Sequence, residues 1–155
     1  MIDREARDKL ALRLRRLAAG RLYIDEFDDH YYPPFPFTDR GVDAVARSAW
    51  GQYSDYWNHR LRGRDALSNV RLKDVARWIL FLQSDYEYEW SPFPKSGALG
   101  WLVAILTLGR LDTRRWHGWP EWQALGDFDV WPFFRRSDCN QASERPRLLT
   151  GQPSN

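Results

Sequence analysis

Cysteine is nearly missing from this chain: Cys139 is the single one among 155 residues, which excludes an intrachain disulfide and removes any argument for an oxidising compartment. Lysine is almost as scarce. Lys9, Lys73 and Lys95 stand against 23 basic residues in all, a bias towards arginine that either reflects a GC-rich genome or favours planar, bidentate pairing with carboxylates and phosphates. Excess charge of one sign is absent too. With 21 acids the formal net charge is +2, so the overall field cannot draw in nucleic acid strongly and such binding needs a local patch. Long apolar runs are also lacking: the longest uncharged stretch, Ser96 to Gly109, falls short of the roughly 20 residues a membrane-spanning helix needs. Met1 to Lys9 is mixed in charge and has no apolar core, so no secretory signal is expected. These absences predict a cytoplasmic chain of bacterial style with no membrane partner.

What the chain has is aromatics: nine Trp, eight Phe and seven Tyr. Its length fits one domain that buries roughly 70% of its unfolded surface, enough for a core without metal or disulfide support. Disordered and collagen-like chains are excluded by the same composition. No catalytic or metal motif stands out, so the sequence alone does not name a function.

Residues 3 to 19 read as an amphipathic helix. Asp3 can cap it, Ala6, Leu10, Leu14, Leu17 and Ala18 form one stripe, and Gly20 is a natural stop. A short acidic piece, Ile24 to Asp29, leads into Tyr31 to Phe37, where three prolines predict an extended aromatic strap over the core. From Thr38, the positions Val42, Val45, Ala46, Ala49, Trp50, Tyr53, Trp57 and Leu61 predict one long helix to Arg62, stopping at Gly63, with Gly51 on its solvent side. A third helix is expected after Ser68, carrying Leu72, Val75, Ala76 and Ile79, with 78–82 the most buried run.

Asp85 to Trp90 alternates acid with aromatic. Extended, it would put Asp85, Glu87 and Glu89 on one side and Tyr86, Tyr88 and Trp90 on the other. Gly97 to Leu108 suits a buried helix or a buried strand, and its length favours helix. Pro120 can open a short helix through Leu125. Asp127 to Phe134 reads as an extended apolar segment, and Cys139 onwards as a flexible tail. The expected organisation is one globular domain over 1–138 and a tail over 139–155.

Two blocks carry a resemblance. The step Leu17-Ala18-Ala19-Gly20 followed by Asp25-Glu26-Phe27-Asp28-Asp29, and Ala76-Arg77-Trp78-Ile79-Leu80-Phe81-Leu82 running into Asp85-Tyr86-Glu87-Tyr88-Glu89-Trp90, resemble a group of short uncharacterised bacterial proteins. The likeness runs from the N-terminus to Trp90 and returns weakly at Val130-Trp131-Pro132-Phe133. It implies no activity and transfers no functional residue.

Candidate sites are few. His30, His59 and His117 lack the spacing of a zinc motif. Asp25, Asp28, Asp29 and His30 make an oxygen-rich set that would suit a hard cation. Asp85, Glu87 and Glu89 could serve acid/base chemistry if their environments separated their pKa values. Cys139 has no histidine beside it. Arginines cluster at Arg13, Arg15 and Arg16, at Arg60, Arg62 and Arg64, at Arg114 and Arg115, and at Arg135 and Arg136. Two such clusters meeting beside exposed tryptophans could hold phosphates and stack single-stranded bases.

Trp50, Trp57, Trp78 and Trp101 fall on stripes that predict core. Trp116, Trp119, Trp122 and Trp131 crowd one turn-rich region. With Arg114, Arg115 and His117 they form the leading candidate surface, since Trp and Arg are enriched at interface hot spots.

The expectation is therefore a mostly α single-domain bundle with a C-terminal aromatic extended region, the alternative being α+β with a small sheet. Functionally it reads as a non-catalytic interaction protein, immunity- or antitoxin-like or self-associating, with no cofactor. Its partner would be a protein or a second copy of the chain. A small metal-dependent enzyme using an acidic cluster and a single-stranded nucleic-acid binder are the alternatives.

Overall fold

A computed structural model of the chain describes residues 1–31, 37–53, 57–92 and 118–144. Among the described residues there are six helices: α1 (Arg4–Ala18), α2 (Ile24–Tyr31), α3 (Arg40–Trp50), α4 (Asn69–Leu82), α5 (Trp119–Gln123) and α6 (Arg136–Glu144). Single 3-10 turns lie at Gly63–Asp65 and Phe128–Val130. No strand occurs among the described residues, so the fold is mostly α and the small sheet finds no support. The apolar segment Gly97 to Leu108, the prolines of the 32–36 strap, and the stretch from residue 145 onwards lie outside the described residues.

Local chemistry accounts for each helix end. Asp3 caps α1, its Oδ1 accepting the Ala6 N–H at 3.0 Å. Gly20 follows with φ +61°, a conformation costly for any side chain. Leu10, Leu14 and Leu17 bury the expected stripe, joined by Arg7, which sits one turn before Ala11 and Leu10 on the same face. Asp39 caps α3, accepting the Gly41 N–H at 2.8 Å. Ser68 caps α4 through the Arg71 N–H.

α1 lies against α4 and α3, and one cluster of buried side chains runs from Leu10 through Phe27, Val45 and Phe81 to Trp90 and Phe133. Gly41 lets α3 approach α4 closely, because a Cβ there would stand 2.8 Å from the Phe81 ring.

Several expectations change. The long helix from Thr38 is only half as long as its apolar pattern: α3 ends at Trp50, with Gly51 at its C-cap. The glycine, about 1 kcal/mol poorer than Ala inside a helix, closes α3 instead of continuing it. Leu61 still reaches the core, but from a separate segment whose His59 carbonyl accepts the Ile24 N–H at 3.0 Å. Ile24 to Asp29, expected as a lead into the strap, is helical. Along α4 the buried face is Val75, Trp78, Phe81 and Leu82, so Leu72 and Ala76 point outwards and the 78–82 run is not buried all round. Asp127 to Phe134 is a 3-10 turn followed by the buried Trp131-Pro132-Phe133 step. Cys139 to Glu144, expected as tail, forms the second half of α6, and Ala142 packs on the core. Asp127 Oδ2 accepts the Arg136 N–H at 2.7 Å, which ties the start of that helix to the preceding turn.

The alternation at 85–90 appears as read. Tyr88 and Trp90 are buried and Tyr86 half-buried, whereas Asp85, Glu87 and Glu89 are exposed. Arginines hold this non-helical stretch: Arg7 Nη1 donates to the Ser84 and Tyr86 carbonyls at 3.2 and 2.8 Å, Arg4 to those of Leu82 and Ser84, and Arg40 to that of Trp90. Its aromatics then meet the C-terminal ones. Trp90 stacks on Trp122 with ring centres 4.7 Å apart, and its indole N–H donates to the Phe133 carbonyl at 3.1 Å.

Candidate functional site

The C-terminal candidate surface changes character first. Trp122 is 4% exposed and Trp131 is 6% exposed, so both are core and present no contact surface. Both of these indoles have an acceptor: Trp122 donates to the Ser91 carbonyl at 3.0 Å and Trp131 to the Tyr88 hydroxyl at 3.3 Å. Indoles are buried this way when the N–H has a partner. Trp119 is half-buried against Trp122. Arg114, Arg115, Trp116 and His117 lie outside the described residues, as does Trp101.

Nor do the acidic sets converge. On α2, Asp25, Asp29 and His30 are exposed, and the Tyr53 hydroxyl donates to Asp28 Oδ1 at 2.5 Å. Among the described residues no group of three or more His, Cys, Asp and Glu side chains is placed to hold a metal ion. The helix presents the acids to solvent and to Tyr53 instead of wrapping them around one point. Asp85 pairs with Arg4, Glu89 with both guanidinium nitrogens of Arg135 at 2.9 Å, and Glu87 stands 3.4 Å from the Met1 amine. Three carboxylates with three different cations, two of them arginines, on an exposed face are a spread arrangement and not a shared pocket.

A different feature emerges at the other end of α1. A groove of about 650 Å³ opens between the end of α3 and the start of α4, with Tyr53, Trp57, His59, Arg64, Ser68 and Arg71 among its walls. Trp57, expected in the core, is 55% exposed here. The early end of α3 is the reason, since the apolar stripe that would have carried Trp57 inwards no longer exists.

The segment that carries Trp57 is pinned on both sides. His59 Nδ1–H donates to the Trp57 carbonyl at 2.8 Å, which fixes the tautomer, and the two rings lie 5.3 Å apart. The Asn58 side chain accepts the Asp25 N–H, and the His59 carbonyl that of Ile24, so the segment also serves the N-terminus of α2. Leu61 anchors it in the core.

Charge is distributed unevenly around this groove. Arg4, Arg7, Arg47, Arg77, Arg135 and Arg136 each pair with a carboxylate. Among the described residues, Arg15, Arg16, Arg21, Arg60, Arg62, Arg64 and Arg71 pair with none. Arg60 lies over the Tyr23 ring, 4.3 Å from its centre. Arg62 packs beside Gly20, bringing it to the end of α1 where Arg15 and Arg16 occupy the last turn. Two arginine clusters separated in sequence therefore share one end of the fold with an exposed tryptophan. α4 begins there with no acid in its first turn.

A second hollow of about 600 Å³ separates α1 from α2, lined by Lys9, Leu12, Arg13, Glu26, His30 and Tyr31 among others. Burial pushes the Tyr31 hydroxyl up from its ordinary value, with the Arg13 charge opposing.

Sequence reasoning missed Trp57 because its spacing continues the α3 stripe. The signal that could have found it is Gly51 with Ser54 and Asp55 shortly after it, three poor helix-interior residues within five positions. No family model, curated protein or solved structure matches this chain. No helix among the described residues is long and apolar enough to cross a membrane.

Proposed function

We propose that the chain is a non-catalytic binding protein whose contact face is the groove at Trp57 and its rim of arginines. Trp57 carries this reading: a large aromatic side chain left more than half exposed, yet seated on a hydrogen-bonded and core-anchored segment beside cations that lack carboxylate partners. Trp and Arg are the residues that interface hot spots enrich. This reading keeps the aromatic and arginine chemistry expected from the sequence and sets it at 57–71; of the surface expected at 114–136, Trp122 and Trp131 are core and Arg114, Arg115, Trp116 and His117 lie outside the described residues.

Placing a photo-crosslinking amino acid at position 57 in the native host tests it. Abundant adducts are expected there and not from the same amino acid at position 144, on the exposed end of α6. Adducts at 57 no more frequent than at 144 refute the reading.

A further inference from the structure

We infer that the occupant of this face is single-stranded nucleic acid, an inference that rests on the binding reading above. Three observations converge on it.

The first is an open aromatic platform. Among the described residues the only ring against Trp57 is His59, so the indole sits at a rim without being sunk in a packed pocket. An anchor for a folded protein partner works when surrounded by apolar contacts that exclude water. Here the groove sets Arg64, Arg71 and Ser68 beside Leu61, Ala66 and Leu67, and a base needs only a π-face and solvent-tolerant surroundings to stack.

The second is a line of cations leading to that platform. The Arg62 N–H donates to the Arg60 carbonyl at 2.8 Å, a tight turn that leaves Leu61 in the core, Arg60 half-buried over the Tyr23 ring and Arg62 exposed, and Arg64 follows at the groove wall. Guanidinium groups bind phosphate oxygens in a bidentate fork.

The third is the charge balance at this end. Arg15, Arg16, Arg60, Arg62, Arg64 and Arg71 outnumber the exposed acids Asp25, Glu26, Asp29 and Asp65, of which Asp65 lines the groove itself. This is the local excess of positive charge that the chain's near-neutral total made a precondition.

The test is fluorescence anisotropy of a labelled oligo-uridine and an oligo-thymidine with the full chain. With three phosphates neutralised by Arg60, Arg62 and Arg64, the logarithm of affinity should fall with that of salt at a slope near −2, so raising salt from about 50 to about 200 mM weakens binding roughly 20-fold. Trp57→Ala should weaken binding at least about fivefold, the loss of one stacked base. The double variant Arg62→Gln/Arg64→Gln should cut the slope to about −0.7. Arg136→Gln, on α6, should leave affinity and slope unchanged, and a duplex of equal length should bind without sensitivity to Trp57→Ala. Circular dichroism of each variant confirms that the fold is retained.

Binding without salt dependence, or unaltered in both the Trp57 and the arginine variants, overturns the inference. So does adduct formation at position 57 that survives nuclease but not protease: the binding reading then stands and the occupant is a protein. Absence of any adduct at 57 removes both readings together.

Discussion

Arg7 and Asp39 form the most buried ion pair of the described residues, and removing either half should cost a large share of the stability. Their side chains are 1% and 3% exposed, and Arg7 Nε donates to Asp39 Oδ2 at 2.6 Å. Arg7 also reaches Asp39 Oδ1 and the carbonyls of Ser84 and Tyr86, while Asp39 accepts the Asp3 and Gly41 N–H groups. One guanidinium thus joins α1, the cap of α3 and the stretch after α4. Deleting one partner leaves the other charge buried, which costs about 3–5 kcal/mol. Against a total stability of about 5–15 kcal/mol, that lowers Tm by about 6–20 °C for a chain of this size.

Urea denaturation of Arg7→Met, Asp39→Asn and the double variant measures it. The double variant should cost at least about 2 kcal/mol less than the sum of the singles, because each single loss includes the stranding of its partner. pH supplies a second reading. Burial pushes the Asp39 carboxyl up, but the hydrogen bonds from Arg7, Asp3 and Gly41 and the Arg7 charge outweigh it, and hold it below the ordinary 3.8. A carboxyl depressed in the folded state stabilises fully above its unfolded value and ceases to as pH falls through the folded one. Wild type should therefore lose stability below pH 3.8 more steeply than Asp39→Asn. Strictly additive single variants, or a loss under about 1 kcal/mol in either, would refute the reasoning.

Other perturbations have similarly definite outcomes. Gly20→Ala should destabilise by about 2 kcal/mol or more, since φ is +61° and a Cβ would stand 2.8 Å from the Leu61 carbonyl oxygen; Gly51→Ala, with φ −74° and nothing nearer than 3.6 Å, should be neutral or stabilising by up to about 1 kcal/mol. Thermal melts of the two variants compare them directly. Burial pushes the Tyr88 hydroxyl up to about 12, against the lowering effects of Trp131 and Arg40; because the unfolded chain ionises first, stability should fall as pH rises past 10, and the difference in ultraviolet titration between wild type and Tyr88→Phe should show no step at 10. Burial also pushes the Cys139 thiol up, with Arg77 and Arg136 opposing, so alkylation in mild alkali should be slower in the native protein than in urea, and equal rates would contradict this placement.

Elements with both a periodic stripe and a cap were legible in the sequence, and those fixed by tertiary contacts were not. α1 is the clearest case, with Asp3, the leucine stripe and Gly20 each acting as read. At 85–90 the alternation was legible because only an extended chain separates three acids from three aromatics. α3 was overextended because Tyr53, Trp57 and Leu61 continue its spacing by coincidence: Leu61 serves the core from a separate segment, and Trp57 does not serve it at all. The C-terminal aromatics looked like surface because their region is short and turn-rich. What buries Trp122 and Trp131 is the stacking of Trp90 on Trp122 and two hydrogen bonds, to the Ser91 carbonyl and the Tyr88 hydroxyl, 31 and 43 residues away, that no local pattern announces. The candidate groove was illegible for the same reason. Arg62 and the last turn of α1 meet only because Gly20 permits the approach.

Arginine is where composition, fold and proposed contact meet. Arg4, Arg7, Arg40 and Arg77 donate to main-chain carbonyls of non-helical segments, and Arg4, Arg7 and Arg77 hold a carboxylate as well. That double duty needs several donors in a rigid plane, which the ammonium of lysine does not offer, so part of the arginine bias is structural. It does not extend to the whole set. Arg62 and Arg64 are exposed and make no ion pair among the described residues, and a lysine there would serve the fold as well. Under the proposed contact, a planar guanidinium at those positions gains its advantage against a planar or bidentate anion. Because these side chains add little to stability, replacing them should leave the fold intact, and a loss of binding in their variants then reports on the contact itself.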